Sequence, residues 1–125
     1  MIRLTLSITA ARGESWRLID ALRSLMLPTR RERGCLSCQL LLSSESSDPM
    51  RISYVEDWSS EEALREQVRS DRFSRLLELM ESAMEPPQLE FALGNGTRGL
   101  DYVEEVRADR SRRRRVDPGA GTRND

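Results

Sequence analysis

The chain has 125 residues, 38% of them hydrophobic and 33% charged, with a formal net charge of −1; that allows one domain with a real core but not two, and gives no whole-protein charge with which to hold nucleic acid. All 20 basic residues are arginine, and the absence of histidine excludes Ser-His and Cys-His catalytic pairs and removes the commonest metal ligand. No window approaches the ~20 apolar residues of a membrane helix, and the N-terminus lacks the continuous apolar stretch of a signal peptide, so a cytoplasmic protein with reduced cysteines and no membrane partner is expected.

Ile2, Leu4, Leu6 and Ile8 alternate with Arg3, Thr5, Ser7 and Thr9, the period-two pattern of a half-buried strand. Over 14–33, Trp16, Ile19, Leu22 and Met26 recur at helical spacing, with Leu18 and Leu25 widening the apolar face. Pro28 falls near the end, where a helix kinks or stops, and Gly34 breaks it. The short apolar run 35–44 reads as a strand, and 45–49, with Asp48 and Pro49, as a turn. Along 50–58, Ile52, Tyr54, Glu56 and Trp58 share one face, while Arg51, Ser53, Val55 and Asp57 point the other way. Two strands joined by a polar turn predict a hairpin.

Residues 59–84 read as helical. Ser59 with Glu62 fits a capping box, and Ser70 with Asp71 a second N-cap, so a break is expected there. Leu64 and Val68 lie on one face, and Phe73, Leu76, Leu77, Met80 and Met84 form the next apolar stripe. Pro86 and Pro87 end the helix. A strand over 88–93, a turn over 94–99 and a last strand over 100–107 follow, with Tyr102 and Val103 covering a sheet edge. From Arg110 onward apolar residues almost vanish. That predicts a domain of 1–109 and a disordered, arginine-rich tail over 110–125.

The order β-α-β-β-α-α-β, plus an extra C-terminal strand, is an α+β pattern: the ferredoxin-like split βαβ, one antiparallel sheet with helices on one face. Its other face is expected to carry apolar groups that a second copy would cover. The C-x-x-C spacing of Cys35 and Cys38 carries no chemistry on this reading. Residues three apart in a regular strand point to opposite faces, a disulfide would be poorly placed, and two cysteines without histidine do not make a zinc site.

The stretches "PTRRERGCLSCQL" and "SSDPMRISYVEDWSSEEALREQVRSDRFSRLLELM" resemble the antibiotic-biosynthesis-monooxygenase family, small dimeric α/β barrel proteins. The resemblance runs from about Ile2 to Phe91. Its ordered pieces are Gly34 with Cys35, Asp48 with Pro49, Glu56 to Trp58, Glu61 to Leu64, and Ser70 to Phe73. The chain departs from the pattern in two places. Arg72 stands where most members have histidine, so iron binding as in the haem-degrading relatives is not expected. Tyr54 stands where the best-understood members have an asparagine that pairs with the strand-end tryptophan.

The resemblance implies a homodimer whose two sheets face each other, and oxidation of a small aromatic ligand, an anthrone or quinol, by molecular oxygen with no cofactor and no metal. The substrate itself would supply the electrons, so the protein need only bind, deprotonate and exclude water. Trp58 and Tyr54 share a strand face and are the first candidates, with Glu56 between them as a pocket base. Arg72 would stabilise an enolate oxygen. Phe73, Leu76 and Met80 would contact the substrate. A non-catalytic ligand-binding dimer and an isomerase on the same fold are the alternatives.

Overall fold

The computed structural model describes residues 2–43, 50–83 and 85–116. In chain order the elements are β1 (Ile2–Thr9), α1 (Ser15–Arg30), β2 (Cys35–Leu42), β3 (Arg51–Trp58), α2 (Glu61–Val68), α3 (Asp71–Met80), β4 (Gln88–Ala92), β5 (Thr97–Arg98) and α4 (Leu100–Val116). The five strands form one open sheet in the order β2-β3-β1-β4-β5, each neighbouring pair antiparallel. β1 and β2 therefore run parallel with β3 between them, the split βαβ arrangement. The expected turn at Asp48 and Pro49 lies outside the described residues.

Alternation in β1 does what period two requires. Leu4, Leu6 and Ile8 are buried, while Arg3, Thr5, Ser7 and Thr9 face the other way. Opposite them β3 buries Ile52, Tyr54 and Glu56. The helices cover this inner face with Leu18, Ile19, Leu22 and Leu25 from α1, Leu64 and Val68 from α2, and Phe73 and Leu76 from α3. Each such side chain, fully buried, contributes about 1.5–3 kcal/mol before conformational entropy is counted. Trp16, expected on the buried face of α1, is instead 55% exposed; the buried face is rotated onto Leu18, Leu25 and Thr29.

The break between α2 and α3 is made as expected by Ser70, whose Oγ accepts from the Phe73 N–H. Such a cap contributes about 1 kcal/mol. The cap of α2 is one residue later than expected: Ser60, not Ser59, accepts from Ala63 N. Gly34 has φ +90, and a Cβ there would lie 2.6 Å from the Ala63 Cβ. Only glycine lets the turn between α1 and β2 come this close to α2.

Two expectations fail in the C-terminal third. Residues 100–107 form the start of α4, not a strand. Helical spacing gathers Tyr102, Val103 and Val106 on one buried face and leaves Glu104 and Glu105 outside. A strand would instead have pointed Glu104 the same way as Tyr102 and Val106. The edge of β4 is covered by the two residues of β5. Of the tail expected over 110–125, the residues up to Val116 belong to α4, and 117–125 lie outside the described residues.

Arg107 ties α4 down. Its Nε donates to the Val68 carbonyl at 2.9 Å, its guanidinium reaches Ser70 O and Ser74 Oγ, and it lies over the Phe73 ring. The outer sheet face is more polar than expected: Arg3, Thr5, Ser7, Ser53, Gln39 and Glu90 outnumber Val55, Leu41 and Ala92. No helix among the described residues is long and apolar enough to cross a membrane.

Candidate functional site

β3 carries three of the candidate residues. Its inner-face residues Tyr54, Glu56 and Trp58 are 1%, 0% and 2% exposed. A carboxyl buried this completely is costly unless it is hydrogen-bonded. Glu56 is: Oε2 accepts from the Tyr54 hydroxyl at 2.8 Å, and Oε1 from the Trp58 indole N–H at 3.0 Å. A third donor comes from α2, the Gln67 Nε2, 3.2 Å from Oε2. Burial pushes the Glu56 carboxyl above the usual carboxylate range, against these three donors and the more distant Arg72, which favour the charged form. The same burial, with Glu56 alongside, drives the Tyr54 hydroxyl up, so it stays a donor.

The network continues in two directions. Toward α3, Arg72 donates to Gln67 Oε1 at 3.0 Å and pairs with Glu32 at 3.4 Å, and its buried Nε has no acceptor among the described residues. Toward β2, the Cys38 thiol lies 3.4 Å from the Tyr54 hydroxyl. Burial pushes Cys38 up to about 12, only partly offset by that hydrogen bond.

β2 contains a bulge that places its cysteines differently from the expectation. Cys35 pairs with Trp58 and Cys38 with Glu56, because one residue between Cys35 and Ser37 is left out of register. Both thiols thus turn to the inner face, where Cys35 is half-buried against the core and Cys38 is buried. Among the described residues no group of three His, Cys, Asp or Glu side chains is placed to hold a metal.

The profile of the antibiotic biosynthesis monooxygenase family matches residues 1–79. The chain belongs to this family. The match takes in β1 through most of α3, and so every member of the network around Glu56; β4, β5 and α4 lie beyond it. Solved structures agree in fold. Protein SO0527 from Shewanella oneidensis shares 29% identity at a TM-score of 0.64, over 73% of this chain and 87% of its own. PA3566 from Pseudomonas aeruginosa shares 26% at a TM-score of 0.61, over 74% and 91%. A crystal structure described as antibiotic biosynthesis monooxygenase shares 20% at 0.62, over 74% and 96%, and shows the fold alone. No curated protein matches significantly.

Of the residues singled out from the sequence, Tyr54, Glu56 and Trp58 are brought together, and Arg72 joins them through Gln67 rather than directly. Phe73, Leu76 and Met80 are buried in the same core, with Phe73 against Phe91 and Phe91 against Tyr102 of α4. Gln67 and Thr29 were not legible as site residues. A polar side chain on an amphipathic helix reads as surface, yet they are 3% and 0% exposed and hydrogen-bonded to each other. The surface grooves described, of about 330 to 610 Å³, are lined by other residues than Tyr54, Glu56 and Trp58. The 330 Å³ groove over Arg30, Cys35 and Cys38 is lined in part by Cys38, whose thiol lies 3.4 Å from the Tyr54 hydroxyl.

Proposed function

We propose that this protein is a monooxygenase that oxidises a small electron-rich phenol, anthrone or quinol with molecular oxygen, using neither metal nor flavin, and that Glu56 is its general base. Family membership supports the reaction class. The observation that carries the assignment to Glu56 is its burial among three neutral donors, Tyr54, Trp58 and Gln67. A carboxyl whose proton affinity is raised by burial is a better match for a weak carbon or phenol acid than one in water.

For an anthrone-like methylene the sequence balances as follows. Glu56 removes a proton, and the electron pair of the C–H bond delocalises into the enolate. The enolate gives one electron to oxygen, the two radicals combine at carbon, and Glu56 returns the proton to give a hydroperoxide. Loss of water leaves a carbonyl, so one oxygen atom enters the product and the other leaves as water. The free Nε donor of Arg72 is suited to the enolate oxygen, and Phe73, Leu76 and Met80 supply an apolar, water-excluding wall. Binding has to move part of the cover, since Tyr54 and Trp58 are buried.

Oxygen uptake with a panel of anthrones and quinols tests the reading. Turnover by the wild type and a loss of about 10²- to 10⁴-fold in Glu56→Gln are expected. No turnover, or equal turnover by Glu56→Gln and Trp58→Ala, would overturn it. A second reading, a ligand-binding protein without catalysis, is favoured by the saturation of Glu56 with donors. Native mass spectrometry would then reveal a tightly held small molecule that is never converted.

The proposal includes a homodimer in which the outer sheet faces stack about 10 Å apart. Val55, Leu41 and Ala92 would lie in that interface among polar neighbours. A monomer at micromolar concentration in analytical ultracentrifugation would exclude it.

A further inference from the structure

We propose that Gln67 is the positioning residue of the site: Arg72 clamps its side-chain amide in one orientation, and the amide in turn holds the carboxyl of Glu56. The inference rests on the reading of Glu56 as base for its catalytic meaning, but its geometry stands by itself.

An amide can be placed two ways round, and the difference decides whether it offers a carboxylate a donor or an acceptor. Here the choice is forced. Arginine has donors only, so the end of Gln67 that meets Arg72 at 3.0 Å has to be the carbonyl oxygen. The NH₂ group then faces Glu56 Oε2 at 3.2 Å and Thr29 Oγ1 at 3.4 Å. The clamp is itself anchored, because Arg72 pairs with Glu32 beyond the C-terminal end of α1. Gln67 is 3% exposed, so water does not compete for these positions. Three helices thus converge on one carboxyl: α1 through Thr29, α2 through Gln67, and α3 through Arg72.

The consequence is that Arg72 favours the charged carboxylate in two ways: its charge acts on Glu56 through space, and its hold on the amide fixes a donor against it. The titratable and charged groups facing Glu56 are Cys35 and Cys38 from β2, Tyr54 from β3 itself and Arg72 from α3. β1 presents Leu4 opposite it. Tyr54 and the thiols stay neutral near pH 7, so Arg72 is the one full charge among them.

The test follows the Glu56 carboxyl by carbon-13 NMR in protein labelled at glutamate, assigned by its loss in Glu56→Gln. Gln67→Met keeps the length and packing and removes the amide. Its Glu56 titration should move up by about one pH unit or more relative to wild type. Arg72→Met should shift it in the same direction, and the double variant should move by less than the sum of the two single shifts, since part of the effect of Arg72 runs through the amide. Arg72→Lys, which keeps charge and a donor, should restore most of the wild-type value. An unmoved titration in Gln67→Met, or fully additive shifts in the double variant, would overturn the proposal. Should Gln67→Met not fold, the Arg72→Met and Arg72→Lys pair still decides: equal titrations in both and in wild type reject the clamp. Activity is not needed for the readout, so failure here is distinct from failure of Glu56→Gln to lose oxygen uptake.

Discussion

The Tyr54 hydroxyl donates to Oε2 of Glu56 at 2.8 Å from two residues back along the same strand. Strand periodicity alone puts both side chains on the inner face, and the helices packed on that face remove them from water. Glu56 is followed by Asp57, which points to the outer face and is held by Arg3 at 2.7 Å and Ser37 at 2.9 Å. Adjacent carboxyls on opposite faces of one strand thus have opposite surroundings, and they are expected to respond to pH in opposite senses.

Burial pushes Glu56 up, so the folded state binds its proton more tightly than the unfolded chain does. Its contribution to stability is complete at low pH and is lost as the pH rises from about 4.3 through the folded value. The hydrogen bond from Arg3 holds Asp57 down. Its contribution is present above the ordinary aspartate range and is lost as the pH falls through the folded value. Urea unfolding from about pH 3 to about pH 8 should show Glu56→Gln flattening the decline on the alkaline side and Asp57→Asn flattening the decline on the acid side. Parallel curves for wild type and both variants would contradict this.

The two thiols should differ in reactivity. Cys38 is buried and pushed up to about 12, whereas Cys35 is half-buried beside an open groove. A disulfide reagent at about pH 8 should titrate one thiol in the folded protein and both after unfolding. Cys35→Ser should remove the early one. Prompt labelling of Cys38 would mean that the inner face opens readily on that side.

Arg107 is expected to account for much of the attachment of α4. Arg107→Ala removes a charged donor from the Val68 and Ser70 carbonyls and from Ser74 Oγ, and a cation from the Phe73 ring. A loss of about 1.5–3 kcal/mol in unfolding free energy is expected. Hydrogen exchange should rise first in α4 and at the end of α2, and a change spread evenly over the sheet would argue against this role.

Gly34 and Gly94 both have positive φ, at +90 and +88, but only Gly34 faces another element. Alanine at Gly94 meets open space and should cost about 1 kcal/mol for the backbone alone. Alanine at Gly34 adds the close approach to Ala63 and should cost more, about 2–4 kcal/mol. Equal denaturation midpoints for the two variants would show that the turn between α1 and β2 can give way.

What the sequence determined by itself was whatever depends on local periodicity. Alternation in β1 and β3 set which residues face the helices, and so placed Tyr54, Glu56 and Trp58 together. Ser70 marked the break between α2 and α3. Other features depended on neighbours distant in the chain. The bulge in β2 turned Cys35 and Cys38 to the same face because register is settled by pairing with β3. In the segment 100–107 a strand would set Val103 and Tyr102 on opposite faces, and α4 forms because helical spacing lets Tyr102, Val103 and Val106 meet the core together. Gln67 and Thr29 joined the network around Glu56 only when α1 and α2 closed over β3. A polar side chain acquires a role in a buried network when packing takes its water away, and only the tertiary structure decides where that happens.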